Sequence, residues 1–293
     1  MKNEKNETQK TKEIKFYDDI LKMVEDGFMS EKYNTSNIDN GEGEIINTQK
    51  MIITFTTSEN QKNNINNNMT RIDLGECENL LRNFYNISIN VSLYMKKIDI
   101  NQEGMNTLKV EYDVYVKLFG RNLIKLNLTI CGKSKVSILI PFEIIDHLDK
   151  YNSSSGYCND ICYTTTSKDG TDILLKDRQK EFSENNKVIC QEDCDFSGYD
   201  YDTFVAKCSC EVKERAESFA DMKINKNKLL GNFKNIKNII NFRFLICYEK
   251  LFNKNGILNN IGYYIILLII LFHLFTILIF GIKQFSSLKK RIE

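Results

Sequence analysis

The sequence predicts a mainly β fold: an antiparallel β-sandwich-like domain, a small cysteine-rich module, a basic juxtamembrane helix and one C-terminal transmembrane helix. Three observations carry this. Apolar residues alternate with polar ones between Ile87 and Ile144, seven cysteines crowd between positions 158 and 247, and residues 261–282 form an apolar run without a formal charge. These divide the chain into a polar N-terminus expected to be disordered (1–43), a β domain (44–150), a cysteine-rich module (151–214), a basic helical segment (215–260), a span (261–282) and a short basic tail (283–293).

Residues 1–43 are rich in Lys, Glu and Asn, and such composition buries too little apolar surface to offset the entropy of ordering. A short helix around Phe16–Val24 is the one element expected there. The β-branched run EIINTQKMIITFTT (44–57) reads as a strand. The Asn-rich runs at 63–68 and 225–228 read as low-complexity linkers.

The β domain has the clearest periodicity. In LKVEYDVYVKL, Leu108, Val110, Tyr112, Val114, Val116 and Leu118 occupy alternate positions, with Lys109, Glu111, Asp113, Tyr115 and Lys117 between them. Ile124, Leu126, Leu128 and Ile130 form a second such run, and Val136, Ile138, Ile140, Phe142 and Ile144 a third. Upstream, Ile89, Val91, Leu93 and Met95 are in phase, and the phase shifts by one at Lys96-Lys97 before Ile98 and Ile100. A β-bulge would produce that shift. Period-two alternation implies one wet and one dry face, and the dry faces need a partner layer, most simply a second sheet.

The cysteines admit two chemistries. Cys158-x₃-Cys162 and Cys190-x₃-Cys194 have a spacing that a tetrahedral zinc site accommodates, but zinc needs reduced thiolates, and Cys208-x-Cys210 is left over. Disulfides need an oxidising compartment and suit a segment this poor in apolar residues. Cys77 precedes the sheet and Cys131 ends its third strand, so a bridge between them would staple the sheet edge. Sequons N-x-[ST] stand at Asn6, Asn34, Asn68, Asn86, Asn90, Asn127 and Asn152, all before Cys158. Asn86, Asn90, Asn127 and Asn152 are the glycosylation candidates, with Asn90 and Asn127 on the polar phase of their strands. Asp193, Asp195, Asp200 and Asp202 flank the cysteines without the ordered spacing of a calcium loop, and read as solvated turn carboxylates.

Ile261–Ile282 is long enough, at about 1.5 Å per helical residue, to cross a hydrocarbon core of about 30 Å. Tyr263 and Tyr264 stand at its start and Lys283 ends it; His273 lies near mid-span as a lone tolerated polar group. Ahead of it, Leu230, Phe233, Ile236 and Ile240 at helical spacing, with Lys234, Lys237 and Arg243, form a basic amphipathic helix suited to a membrane surface or to packing on the body. Residues 1–214 carry a net −8 and 215–260 a net +6. Basic residues after the span lean toward a cytoplasmic tail. No apolar leader opens the chain, which taken literally describes a tail-anchored protein with a cytosolic body.

The run Cys190-x₃-Cys194-x₁₃-Cys208-x-Cys210 resembles the middle of an EGF-like module. That resemblance implies Cys162–Cys194, Cys190–Cys208 and Cys210–Cys247, and leaves Cys158 unpaired; its Cys162–Cys190 and Cys210–Cys247 spacings are longer than the module's own. A second arrangement pairs the eight body cysteines among themselves and leaves Cys247 alone. The succession IDLGECENLL, LKVEYDVYVKL, CNDICYTTTSKDGTDILLKDRQKEF, CQEDCDF and CSCEVK, then a span preceded by NIGYY, resembles a membrane-proximal module of large cysteine-rich surface proteins from AT-rich protist-like genomes. It implies that the chain is a fragment or short paralogue, which would account for the missing leader, and it brings no activity with it.

The expected function is therefore a single-pass membrane protein with a disulfide-bonded, N-glycosylated ectodomain for adhesion, reception or structural display. Its partners would be the lipid bilayer and a protein or glycan ligand. The second reading is a tail-anchored organelle-surface adaptor with a zinc-binding body. Catalysis is not expected: His147 and His273 are the only histidines, and no nucleophile elbow, P-loop or dinucleotide fingerprint occurs. No cofactor is implied, and the acidic body disfavours nucleic acid.

Overall fold

The computed structural model describes residues 2–63, 69–103, 105, 107–117, 122–167, 170–184, 187–234, 247 and 261–292. The chain divides into two compact units, residues 1–160 with 165–236 and residues 161–164 with 237–293.

The first unit is built on two antiparallel sheets. One has the order β1 (Glu44–Asn47), β2 (Met51–Thr57), β4 (Tyr94–Asn101), β5 (Leu108–Val116), β6 (Ile124–Lys125). The other runs β3 (Arg71–Asp73), β7 (Lys135–Pro141), β9 (Val205–Glu211), β8 (Cys194–Asp200). Met95, Val110, Tyr112, Val114 and Val116 of the first share one buried cluster with Ile72, Val136, Ile138, Ile140, Ala206 and Cys208 of the second. The alternation of strand β5 thus turns its apolar phase toward the second sheet.

The other face of the first sheet is not wet. It is covered by α1 (Lys2–Met29), a 28-residue helix that contains the short helix expected around Phe16–Val24 and extends over most of the stretch expected to be disordered. Tyr17, Leu21 and Phe28 of α1 are buried and Val24 packs beside them, a stripe at helical spacing. Phe28 stacks on Phe55 at 4.2 Å between ring centroids and meets Tyr115 edge-on. Each such side chain taken out of water stabilises the fold by about 2–3 kcal/mol. That outweighs the unfavourable composition of the helix's first turns.

Because both faces of the sheet are covered, strand β4 needs no bulge. Its pairing with β2 and β5 runs without interruption through Lys96 and Lys97. The phase shift instead records a change in which face takes the apolar groups: Met95 points into the inter-sheet cluster, whereas Ile98 and Ile100 join the cluster under α1. The register irregularity lies elsewhere, in β8 between Phe196 and Gly198.

Other expectations are also corrected. Residues 44–57 form a hairpin, not one strand. The second alternating run yields only the two-residue β6, then a 3₁₀ turn at Leu128–Cys131. Residues 151–214 are not a separate module, since β8 and β9 are strands of the second sheet and β9 pairs with β7 along its length. Short helices complete the unit: α2 (Ser36–Asp39), α3 (Ser58–Asn63), α4 (Glu76–Phe84), α5 (Gly156–Asn159), α6 (Leu175–Glu184) and α7 (Lys226–Leu229). The fold is mixed α/β with antiparallel sheets, rather than mainly β.

The second unit contains the terminal helix α8 (Ile261–Ile292). Its segment Ile261–Gly281 is long and apolar enough to cross a membrane, and none of it is buried against protein. His273 sets its Nδ1 3.2 Å from the Ile269 carbonyl, and Thr276 donates to the His273 carbonyl, so both polar side chains are satisfied along the helix. Of the expected juxtamembrane helix, Leu230 and Phe233 fall within short turns at 226–234. Ile236, Lys237, Ile240 and Arg243 lie outside the described residues.

Candidate functional site

The cysteines form four bridges: Cys77–Cys131, Cys162–Cys247, Cys190–Cys208 and Cys194–Cys210. The second and fourth replace the Cys162–Cys194 and Cys210–Cys247 pairs that the EGF-like resemblance implied. The reason is strand geometry. Cys208 and Cys210, two apart on β9, project to one face, and both are buried in the inter-sheet core. The β8–β9 register sets Cys194 directly opposite Cys210. Cys190, four residues upstream of Cys194, then meets Cys208, and Cys162 is left to Cys247. Their engagement in bridges also removes Cys162, Cys190 and Cys194 from any zinc site. Among the described residues, no group of three His, Cys, Asp or Glu could hold a metal.

Cys77 lies on α4 and Cys131 at the end of the 3₁₀ turn, so their bridge ties that helix to the loop after β6. Cys158, on α5, is a buried free thiol. Burial pushes it up to about 11, which keeps it protonated and poorly nucleophilic. Arg178 of α6 lies against it, buried, donating to the Tyr157 and Asp160 carbonyls, while Gln179 donates to the Cys158 carbonyl. This corner packs the two short helices α5 and α6 against each other.

Asp193 pairs with Lys228 and Lys213, Asp195 with Lys135, and Asp200 accepts from Asp202 and Thr203 within the hairpin turn. They brace the second sheet's edge and do not converge.

The sequence reading missed a buried charge cluster on the polar phase of strands β4 and β5. Lys96 lies 2.6 Å from Glu25 of α1 and 2.9 Å from Asp113 of β5. Arg215, just past β9, reaches Asp113 at 2.7 Å and Glu25 at 2.8 Å, and Lys125 reaches Asp113 at 2.8 Å. Burial alone would raise the Asp113 carboxyl, but Lys96, Arg215 and Lys125 outweigh it and hold it at about 2. Glu25 is likewise lowered: burial opposes ionisation, and Lys96 prevails. The cluster locks helix, sheet and return segment together. Its signal in the sequence is Glu25, four residues after Leu21 and therefore on the helix's core face. At the other end of β5, Lys109 pairs with Glu192, and Gln191 bonds both the N–H and the carbonyl of Val110. That takes the cysteine-bearing loop up against the sheet.

The chain matches no model of a known protein family, no curated protein and no solved structure.

The four glycosylation candidates sit at the surface. Asn86, Asn90 and Asn127 are exposed and Asn152 half-buried. Asn90 and Asn127 are not on strands, as the alternation suggested. Asn90 lies in the loop before β4, and Asn127 is the N-cap of the 3₁₀ turn, its carboxamide oxygen accepting from the Thr129 N–H and hydroxyl. Two clefts among the described residues of the first unit lie near these elements. One, of about 380 Å³, is lined by Lys50, Gln102, Phe219, Lys223, Ile224 and Lys226. Gln102 clamps the Met222 carbonyl and the Ile224 N–H there, so the cleft forms where the return segment crosses the β4–β5 turn. The other, of about 410 Å³, lies beside α4.

Proposed function

We propose that this chain is a single-pass membrane protein whose β-sandwich body stands on the lumenal or extracellular side and serves adhesion, reception or structural display, without catalysis. The pairing of eight cysteines into four bridges carries this reading. Bridges of this density persist in oxidising compartments, and a body so braced joined to an apolar helix suits a cell-surface or lumenal ectodomain. In this topology Lys283, Lys289, Lys290 and Arg291 lie on the cytoplasmic side. The ligand would be a protein or a glycan, the helix would be anchored in lipid, and the acidic body would not take nucleic acid. The sequence resemblance to membrane-proximal modules of large cysteine-rich surface proteins accords with this role.

The test is expression of the full chain in a eukaryotic secretory system, followed by membrane extraction, glycan removal and non-reducing electrophoresis. The expected result is a protein that resists alkaline extraction, drops in mass when glycans are removed, and migrates faster before reduction than after. A chain that shows no glycan shift and whose cysteines are freely alkylated would put the body in the cytosol and revive the tail-anchored adaptor.

A further inference from the structure

The surface at the C-terminal end of α4 combines two features usually kept apart, exposed apolar side chains and sequons. Phe84 is 67% exposed and Ile89 83% exposed, on either side of Asn86, which ends the helix with φ +54°. Left-handed backbone at this position favours Asn or Gly. Arg82 holds the following loop down by donating to the Ser88 and Val91 carbonyls. That fixes Asn90 at the surface, beside the 410 Å³ cleft that Lys62, Glu78, Arg82 and Ile89 line. From far along the chain, Asn127 arrives at the same place: its N–H donates to the Tyr85 hydroxyl at 3.0 Å. The Cys77–Cys131 bridge fastens its turn to α4.

We infer that Asn86, Asn90 and Asn127 form one N-glycosylated patch whose sugars cover Phe84 and Ile89, making this end of the body a shielded, non-adhesive surface. The inference rests on the lumenal reading proposed above. The modification joins the anomeric carbon of a glycosyl diphospholipid donor to the carboxamide nitrogen. The C1–O bond to the diphosphate breaks, the diphosphate departs with that electron pair, and the amide nitrogen loses one proton. At Asn127, which is exposed, the carboxamide oxygen accepts from Thr129 and the nitrogen is the atom to be glycosylated. The cleft beside Asn90 suits the attached sugar. Its hydroxyls can bond the Lys62–Glu78–Arg82 ion pairs while a ring face lies over Ile89. Bare apolar side chains at such a site invite association, and a glycan layer removes that liability without burying them in protein.

Glycopeptide mass spectrometry on the full chain from a eukaryotic secretory system tests the patch directly, with Asn34 and Asn152 as internal references. Glycans at Asn86, Asn90 and Asn127 are expected. Removing all glycans from the folded protein with an amidase should raise self-association several-fold, and F84S/I89S should abolish that rise. The variant S88A/S92A/T129A, which deletes the three sequons at exposed hydroxyls and keeps every asparagine, should reproduce it. Glycans at Asn34 or Asn152 with the three patch sites bare would overturn the inference and leave the compartment standing. No glycan anywhere would overturn both, and glycosylated patch sites whose removal leaves association unchanged would overturn the shield.

Discussion

On the face of the central sheet that meets β3, β7, β9 and β8, the core is mainly aliphatic and covalently stapled, and Cys77, Cys131, Cys190, Cys208 and Cys210 all belong to it. On the opposite face, under α1, the buried cluster contains no cysteine among the described residues. It is built from stacked rings, Phe28 on Phe55 and Tyr17 on Phe219, around the Glu25–Lys96–Asp113–Arg215 ion cluster. One sheet is thus held on its two sides by different chemistry. The covalent side draws in loops and short turns that could not order themselves by burial, whereas the ionic side seats a long helix that brings its own hydrogen bonds. Redox conditions should act on the first side and pH on the second.

The largest effect should come from breaking the ionic side. Lys96→Ala leaves buried carboxylates short of a cation, and a loss of about 3–5 kcal/mol in denaturant unfolding is expected. The double variant K96M/D113L leaves Glu25 and Arg215 paired, so it should cost less than the sum of its parts; additive losses would show that the cluster does not act as a unit. Next, on the covalent side, C190S/C208S opens a loop spanning 18 residues. It should cost about 3 kcal/mol on chain-entropy grounds, and it should make the protein correspondingly less responsive to added reductant.

A smaller loss should follow acidification. An unfolded Asp titrates near 3.9, and Asp113 is held at about 2 in the fold. Its folded value is the lower one, so the stability it adds is full above about pH 4 and disappears as the pH falls toward 2. That amounts to about 2 kcal/mol, with Glu25 adding in the same direction. Thermal unfolding across that range should show the loss in the parent and much less of it in K96M/D113L. The smallest effect belongs to Cys158. Native protein should resist alkylation there, and one thiol should react once the chain is unfolded without reductant. Rapid native labelling would show the α5–α6 corner to be open.

The strands were largely legible, because β5 and β7 alternate cleanly and only strands bury that pattern on one face. Which surfaces stay wet was not. Lys109, Glu111 and Asp113 look solvent-facing by residue type, yet all three are buried: Lys109 pairs with Glu192, Glu111 accepts from the Ala216 N–H, and Asp113 meets Lys96, Lys125 and Arg215, partners that only the tertiary structure supplies. Of helix α1 only the piece around Phe16–Val24 was expected, and its charged N-terminal half hid its full length, although Tyr17, Leu21, Val24 and Phe28 carry the stripe that betrays it. The Cys77–Cys131 bridge could be anticipated from where those residues flank the sheet. For the pairing of Cys194, strand register had to be known, and spacing borrowed from a different module gave the wrong partner. Sequons could be found by eye, but nothing in the sequence places Asn127 beside Tyr85.

The irregularity in β8 reaches beyond the shape of the hairpin. Counting back from the turn, where Asp200 faces Val205 and Gly198 faces Lys207, an unbroken ladder would set Cys194 against Glu211. The extra residue, Ser197, whose hydroxyl is tied to the Lys207 carbonyl, moves the register by one and brings Cys194 opposite Cys210. Since a one-residue slip turns every side chain to the other face, the Cys194–Cys210 bridge depends on that kink. Ser197 therefore decides which sulfur Cys194 can reach.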